Sequence, residues 1–246
     1  MQGTVWASLM CTSTIDTLGK KCYESPETLY QYKGVSIPPL GMVDDVICVT
    51  NVSRSEEMNK TVNIFMEHKK LRLSEKKCYQ IHIGKGHLNC PKLKVHESEM
   101  KVADNEKYLG DVIDKTGSIH STIENRKSKG QGIITGITSI IDEIPLGKHR
   151  IEVALKLREV MLLNGILFNS EAWHGMTKSH IRELEKIDED LLRRILKAHS
   201  KTPLEFLYLE TGSVSIKWIV AQRRVNYLKT IMERDPNELV KKVFEA

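Results

Sequence analysis

Ser36-Ile-Pro-Pro-Leu-Gly-Met-Val-Asp-Asp-Val-Ile-Cys-Val-Thr50 places two adjacent carboxylates, Asp44 and Asp45, between apolar runs, with no cation near them in sequence. Leu40, Met42, Val43, Val46, Ile47 and Val49 are strand formers, so the stretch reads as a hairpin with the acid pair at or beside its turn. Like charges held this close raise one another's pKa unless a cation lies between them, and hard oxygen ligands of this kind select Mg²⁺ or Mn²⁺. A solvated Asp-Asp turn is the competing reading, because Asp favours turns for local reasons.

Outward from the hairpin, the chain has two textures. Up to about residue 117, one helical run (Thr4–Lys21), short strands and turns alternate. A strand is expected over Thr28–Val35, ahead of the acid pair. Behind it comes a helix from Ser53 or Ser55 to about Lys70, with Met58, Val62, Phe65 and Met66 at helical spacing. Further strands are expected at Lys77–Gly84 and Tyr108–Ile113, with a hairpin at Leu93–Val95 and Met100–Val102. After Gly117 the strand signals stop. Helices are expected from Ser118 to Ile140, over the apolar Ile151–Phe168, over Lys178–His199, after Thr202-Pro203, and over Ser215–Glu233 and Pro236–Phe244. The fold class is therefore α+β: a small antiparallel sheet with two helices over 1–116, then an all-helical unit over 117–246.

Composition narrows the function classes. The hydrophobic fraction of 40% and charged fraction of 28% suit a globular protein. No apolar stretch reaches membrane-spanning length, and the first residues lack the basic start of a secretory signal, so an intracellular protein with no membrane partner is expected. Five cysteines, at 11, 22, 48, 78 and 90, form no Cys-x-x-Cys pair, which argues against a zinc site or a disulfide framework. His82 and His87 are read as structural, and Gly84-Lys85-Gly86 as a turn. The net charge of +5 comes mostly from the second half: 16 Lys+Arg against 15 Asp+Glu over 1–117, then 21 against 17. That permits nucleic-acid binding without requiring it.

The order of the motifs carries a resemblance. Gln2-Gly3 opens a helix, Met42-Val43-Asp44-Asp45 sits in a hairpin, Ser74-Glu75-Lys76-Lys77-Cys78 follows a second helix, and Tyr108-Leu109-Gly110 opens a later strand. This succession resembles the palm of reverse transcriptases of non-LTR retrotransposons, and the helical half resembles the thumb and post-thumb region of those enzymes, notably at Ser170–Trp173, Leu191–Leu196, Thr202–Gly212 and Arg223–Leu228. Met42-Val43 is a variant of the residues usual before the acid pair, and Ser74 stands where the family has Asn.

The resemblance implies an RNA-directed DNA polymerase using Mg²⁺ or Mn²⁺, an RNA template with a DNA primer, and deoxynucleoside triphosphates. Asp44 and Asp45 would be metal ligands in a two-metal nucleotidyl transfer. Lys77 would neutralise or protonate the leaving pyrophosphate. Gln2 and Gly3 would approach the template and the incoming nucleotide, and Tyr108, Leu109 and Gly110 would grip the primer. Arg126, Lys127, Lys129, Arg193, Arg194, Arg223 and Arg224 are candidates for phosphate contacts without sequence readout. The family takes a third aspartate from a strand upstream of the QG helix. Asp16, the only acid before Glu24, lies inside that helix, so the chain is expected not to polymerise by itself. A non-catalytic nucleic-acid-binding remnant is the first alternative, and a metal-dependent phosphohydrolase around Asp44 and Asp45 the second.

Overall fold

A computed structural model describes residues 5–84, 90–145 and 147–246, with side chains from residue 8 onward. The chain is mixed α and β, helical for most of its length, with strands of two to four residues arranged as separate two-stranded pieces. It divides into two compact units: residues 1–106 with 231–246, and residues 107–230. The division at 106/107 lies ten residues ahead of the turn where composition alone places it, because the strand that follows is tied to the first long helix of the second unit.

In the first unit, α1 (Val5–Cys22) and α2 (Ser55–His68) supply most of the core. Leu18 and Cys22 of α1 close on Leu29 and on Met58, Phe65 and Met66 of α2, which lie on one face at intervals of seven and eight residues. Lys70, at φ 56°, turns the chain away after α2. Where one strand is expected over Thr28–Val35 there is a hairpin, β1 (Tyr30–Tyr32) with β2 (Val35–Ile37), closed by Lys33-Gly34, both at positive φ. The acid hairpin follows as β3 (Leu40–Met42) and β4 (Asp45–Ile47).

The strand expected over Lys77–Gly84 contracts to β5 (Tyr79–Gln80). The side chain of Gln80 explains the local order. Its Nε2 donates to the Pro91 carbonyl at 2.8 Å and its Oε1 accepts from the Leu93 N–H at 3.3 Å, so a side chain replaces the ladder a longer strand would make. The segment expected as one hairpin splits. β6 (Lys94–Val95) pairs with β7 (Ser98–Glu99), while β8 (Lys101–Val102) leaves to run parallel to β5.

In the second unit, β10 (Asp111–Asp114) is the partner of β9 (Asn105–Tyr108) and leads into α3 (His120–Asp142). The Thr122 hydroxyl accepts from the Val112 N–H at 2.9 Å, which fastens β10 to the start of α3. A continuous helical path then runs through α4 (Lys148–Leu157), a π-helical turn (Arg158–Leu163) and α5 (Asn164–Ile166). This path is less enclosed than its composition suggests: Leu162, Leu163 and Ile166 are buried, but Val160 and Met161 face outward. The stripe on α6 (Lys178–Leu196) is as expected, with Leu184, Ile187, Leu191, Leu192 and Ile195 all buried. Thr177 caps it, its hydroxyl accepting from the His180 N–H.

Gly130 has a packing reason. A Cβ there would lie 2.9 Å from Cγ2 of Ile187 and 3.1 Å from Cγ2 of Ile166, so α3 approaches α5 and α6 at that point. The remaining helices are α7 (Leu204–Thr211), α8 (Ile216–Met232), which runs past the end of this unit, and α9 (Leu239–Glu245) in the first unit. Pro203 precedes α7 as its cap residue instead of sitting in its first turn.

Candidate functional site

The β3–β4 hairpin pairs Leu40 with Ile47, Gly41 with Val46 and Met42 with Asp45, leaving Val43 and Asp44 as a two-residue turn. Gly41 lets the hairpin lie against α1, since a Cβ there would overlap the Ile15 side chain. Val43 sits at φ 60°. A two-residue hairpin turn needs left-handed backbone, which glycine or asparagine adopts cheaply and a β-branched residue does not. The chain therefore holds strain of about 1–2 kcal/mol immediately before the acid pair. Asp44 and Asp45 are both exposed, and neither has an ion-pair partner among the described residues. Two carboxylates adjacent in sequence are thus exposed on a strained turn, with no ion-paired cation among the described residues.

Lys77 also lies in this unit, but not on a strand. It closes a turn whose N–H donates to the Ser74 carbonyl at 2.9 Å, and its side chain is exposed. No ion pair joins it to Asp44 or Asp45 among the described residues. Gln2, Gly3, the Gly84–Gly86 turn beyond Gly84, and His87 lie outside the described residues. His82 is half-buried, its Nε2 without a hydrogen-bond partner among the described residues. No group of three or more His, Cys, Asp or Glu side chains able to hold a metal ion occurs among the described residues.

In the second unit, Tyr108-Leu109-Gly110 is a turn as well as a strand end. Leu109 at φ 47° and Gly110 at φ 90° form the two central residues between β9 and β10. The next residue, Asp111, is the node that sequence reading passed over. Its Oδ1 accepts from the Arg126 guanidinium at 2.5 Å, and its Oδ2 from the Asn169 amide at 3.2 Å and the Trp173 indole at 3.3 Å. Asn169 also donates to the Leu109 carbonyl at 3.4 Å.

Arg126 is only 2% exposed. Its Nη1 donates to the Gly165 carbonyl at 3.3 Å and its Nη2 also to the Phe168 carbonyl at 3.2 Å, its Nε finds no acceptor among the described residues, and the guanidinium lies over the rings of Phe168 and Trp173. The expectation that Arg126 contacts nucleic-acid phosphates is corrected: the guanidinium is committed to the interior. Trp173, 6% exposed, is a packing residue with a satisfied N–H.

The other cations differ in how free they are. Arg223 donates to the Leu167 carbonyl at 2.5 Å, and Arg224 to the Trp173 carbonyl. Arg193 binds Glu189 and the carbonyls of His199 and Thr202, each at 2.6 Å, which closes the C-terminus of α6. Arg194 pairs with Asp190 at 3.2 Å, and Lys127 with Glu124 and Glu183 at 2.7 and 3.2 Å. Lys129 is exposed and pairs with none of the described residues. The basic surface is therefore thinner than the count of Lys and Arg implies.

No family model, no curated protein and no solved structure matches the chain. None of its helices, among the described residues, is long and apolar enough to cross a membrane.

Proposed function

We propose that the chain is the rear part of an RNA-directed DNA polymerase of the non-LTR retrotransposon kind, a partial palm followed by a thumb-like helical region. The observation that carries this reading is the acid hairpin: Asp44 and Asp45 exposed, with no ion-pair partner among the described residues, beside Val43, a β-branched residue held at φ 60°. Strain of this sort survives where the surroundings over-determine the backbone, and it gathers at working sites.

The donor set fits a hard divalent cation in kind. Mg²⁺ is bound through one or two carboxylates, with substrate phosphates and water completing its shell, so Asp44 and Asp45 would hold Mg²⁺ or Mn²⁺ weakly until a nucleotide arrives. A bound ion of this type supplies charge neutralisation for a triphosphate and activation of a hydroxyl. The chain's own groups do the rest. In the first unit the hairpin fixes the two carboxylates and Lys77 offers an exposed positive charge for a leaving phosphate; the second unit, taken by itself, offers the Leu109–Gly110 turn as an edge for a primer strand.

Paramagnetic broadening by Mn²⁺ tests the carboxylates directly. Amide signals of residues 43–47 are expected to broaden in the free chain, and the effect to disappear in Asp44→Asn/Asp45→Asn. Broadening spread over the surface, or none, would remove the metal from the reading. Primer extension on an RNA template with Mg²⁺ is expected to give no product with this chain, since among the described residues no third acidic, histidine or cysteine side chain joins the two carboxylates of the hairpin. Duplex binding that is steeply salt-dependent and indifferent to metal would instead favour a binding-only protein.

A further inference from the structure

The Leu109–Gly110 turn is held far more firmly than a two-residue hairpin requires. Three donors converge on the Asp111 carboxylate from Arg126 on α3 and from Asn169 and Trp173 beyond α5. A fourth bond runs from Asn169 to the carbonyl of Leu109 itself. Asn169 reaches both acceptors from a left-handed backbone, at φ 61°. Gly110 is seated so closely on Phe168 that a Cβ would lie 3.1 Å from Cε1 of the ring. The opposite side of the turn is open: the Leu109 side chain is 37% exposed, at φ 47°. A network of buried Arg126 and Trp173 with half-buried Asp111 and Asn169 thus supports an outward-facing tip.

We propose that Asp111 is the positioning residue of this tip. Clamped by Arg126, Asn169 and Trp173, its carboxylate fixes the Leu109–Gly110 backbone on the helical unit, and the Leu109 side chain and the Tyr108–Gly110 peptide groups meet the sugar–phosphate face of a nucleic-acid strand. Asp111 does not touch the strand; it acts through the turn. The inference rests on the polymerase reading for the identity of the strand, and on the network alone for the rigidity of the tip. Arg126 is essential to it as the buried counter-charge, which is why the arginine is unavailable to solvent.

The test uses the full chain with an RNA-template/DNA-primer duplex carrying photoreactive 5-iodouracil near the primer 3′ end, with crosslinks mapped by mass spectrometry. Amide hydrogen exchange is followed in parallel. In the unaltered chain the crosslinks are expected at Tyr108–Gly110. Asn169→Ala removes one amide and leaves the buried ion pair intact, so it guards against a variant that fails to fold. In Asp111→Asn and Asn169→Ala, exchange at the Val112 amide, which donates to the Thr122 hydroxyl beside the turn, is expected to rise about tenfold or more, while the α6 amides keep their protection. Total duplex affinity should change little, but the crosslink should spread to other residues.

Crosslinking at Leu109 that stays confined there in both variants would overturn the positioning role alone. Crosslinks nowhere near 108–110 in the unaltered chain would overturn the polymerase reading instead, while the exchange data still report on the clamp. A loss of protection throughout α6 in Asn169→Ala would make the network merely structural and sink the proposal.

Discussion

Asp188 is half of a buried ion pair in the helical unit. It is fully buried, and Arg158 is 5% exposed. The pair is bidentate, Nε to Oδ1 at 2.6 Å and Nη2 to Oδ2 at 2.7 Å, with the Tyr208 hydroxyl donating to Oδ2 at 3.2 Å. The Arg158 guanidinium has one further acceptor, the Val214 carbonyl at 3.3 Å. Asp188→Asn therefore leaves a cation that cannot deprotonate buried with little to answer it, which costs about 3–5 kcal/mol. With a urea slope of about 2–3 kcal/mol/M, the midpoint of this unit should fall by about 1–2 M. Fluorescence of the buried Trp173 reports it, fitted separately from any transition of the first unit. Replacing both partners, as Arg158→Met/Asp188→Leu, should restore stability to within about 1 kcal/mol, because an apolar pair of similar volume removes the desolvation cost together with the attraction. A single variant that loses less than about 1 kcal/mol would refute the argument, since it would mean that water reaches Arg158 and the charge was never stranded.

Val43→Gly should stabilise the first unit by about 0.5–1 kcal/mol, the relief of left-handed strain exceeding the extra entropy of unfolded glycine; an unchanged or lower urea midpoint would show that the turn is not strained. Gly130→Ala should cost about 1–3 kcal/mol by overpacking against Ile187 and Ile166, whereas Gly132→Ala and Gly136→Ala, whose new methyl groups meet open space, should gain about 0.5–1 kcal/mol each in thermal or urea melts. Asp114 accepts from the Thr116 hydroxyl and N–H and from Ser121, which holds its carboxyl below the ordinary carboxylate pKa. A depressed folded-state pKa stabilises above the unfolded value, so Asp114→Asn should be less stable than the parent at neutral pH, and the gap should close only as pH falls through the Asp114 pKa, below about 4. A gap that persists unchanged at lower pH would assign the loss to something other than the charge.

The parts legible in sequence are those governed by local spacing. The α2 and α6 stripes, the helical second half and the hairpin around Asp44 and Asp45 follow from periodicities of 3.6 and 2 that a short window contains. The strands of the first unit are shorter than their composition predicts because side chains there do the work of ladders, as Gln80 does for Pro91 and Leu93. The burial of Arg126 and Arg158 has a deeper reason for being illegible. Arg126 meets Asp111 across fifteen residues and the carbonyls at 165 and 168 across about forty, and Arg158 meets Asp188 across thirty. No window reveals such pairings, so a buried structural arginine and a phosphate-binding one look alike in a helix.

One clue was present. Asp111 follows a turn that must be left-handed at Gly110, and an acid at the first residue of a short strand needs a partner if the turn is to pack. In the same way Val43 was visible as a residue but not as a strained one, because register decides which two residues form a turn, and register is set by the pairing of Leu40 with Ile47 and by Gly41 fitting over Ile15. The two turns share a logic. Each carries a bulky residue at positive φ, Val43 or Leu109, and each is pinned by a glycine that admits close packing, Gly41 on α1 or Gly110 on Phe168. They differ in what stands next to the strained residue: at Asp44 and Asp45 the acids are left to solvent, while at Asp111 the acid is consumed by three donors. That contrast separates carboxylates available for chemistry from one spent on holding a backbone still.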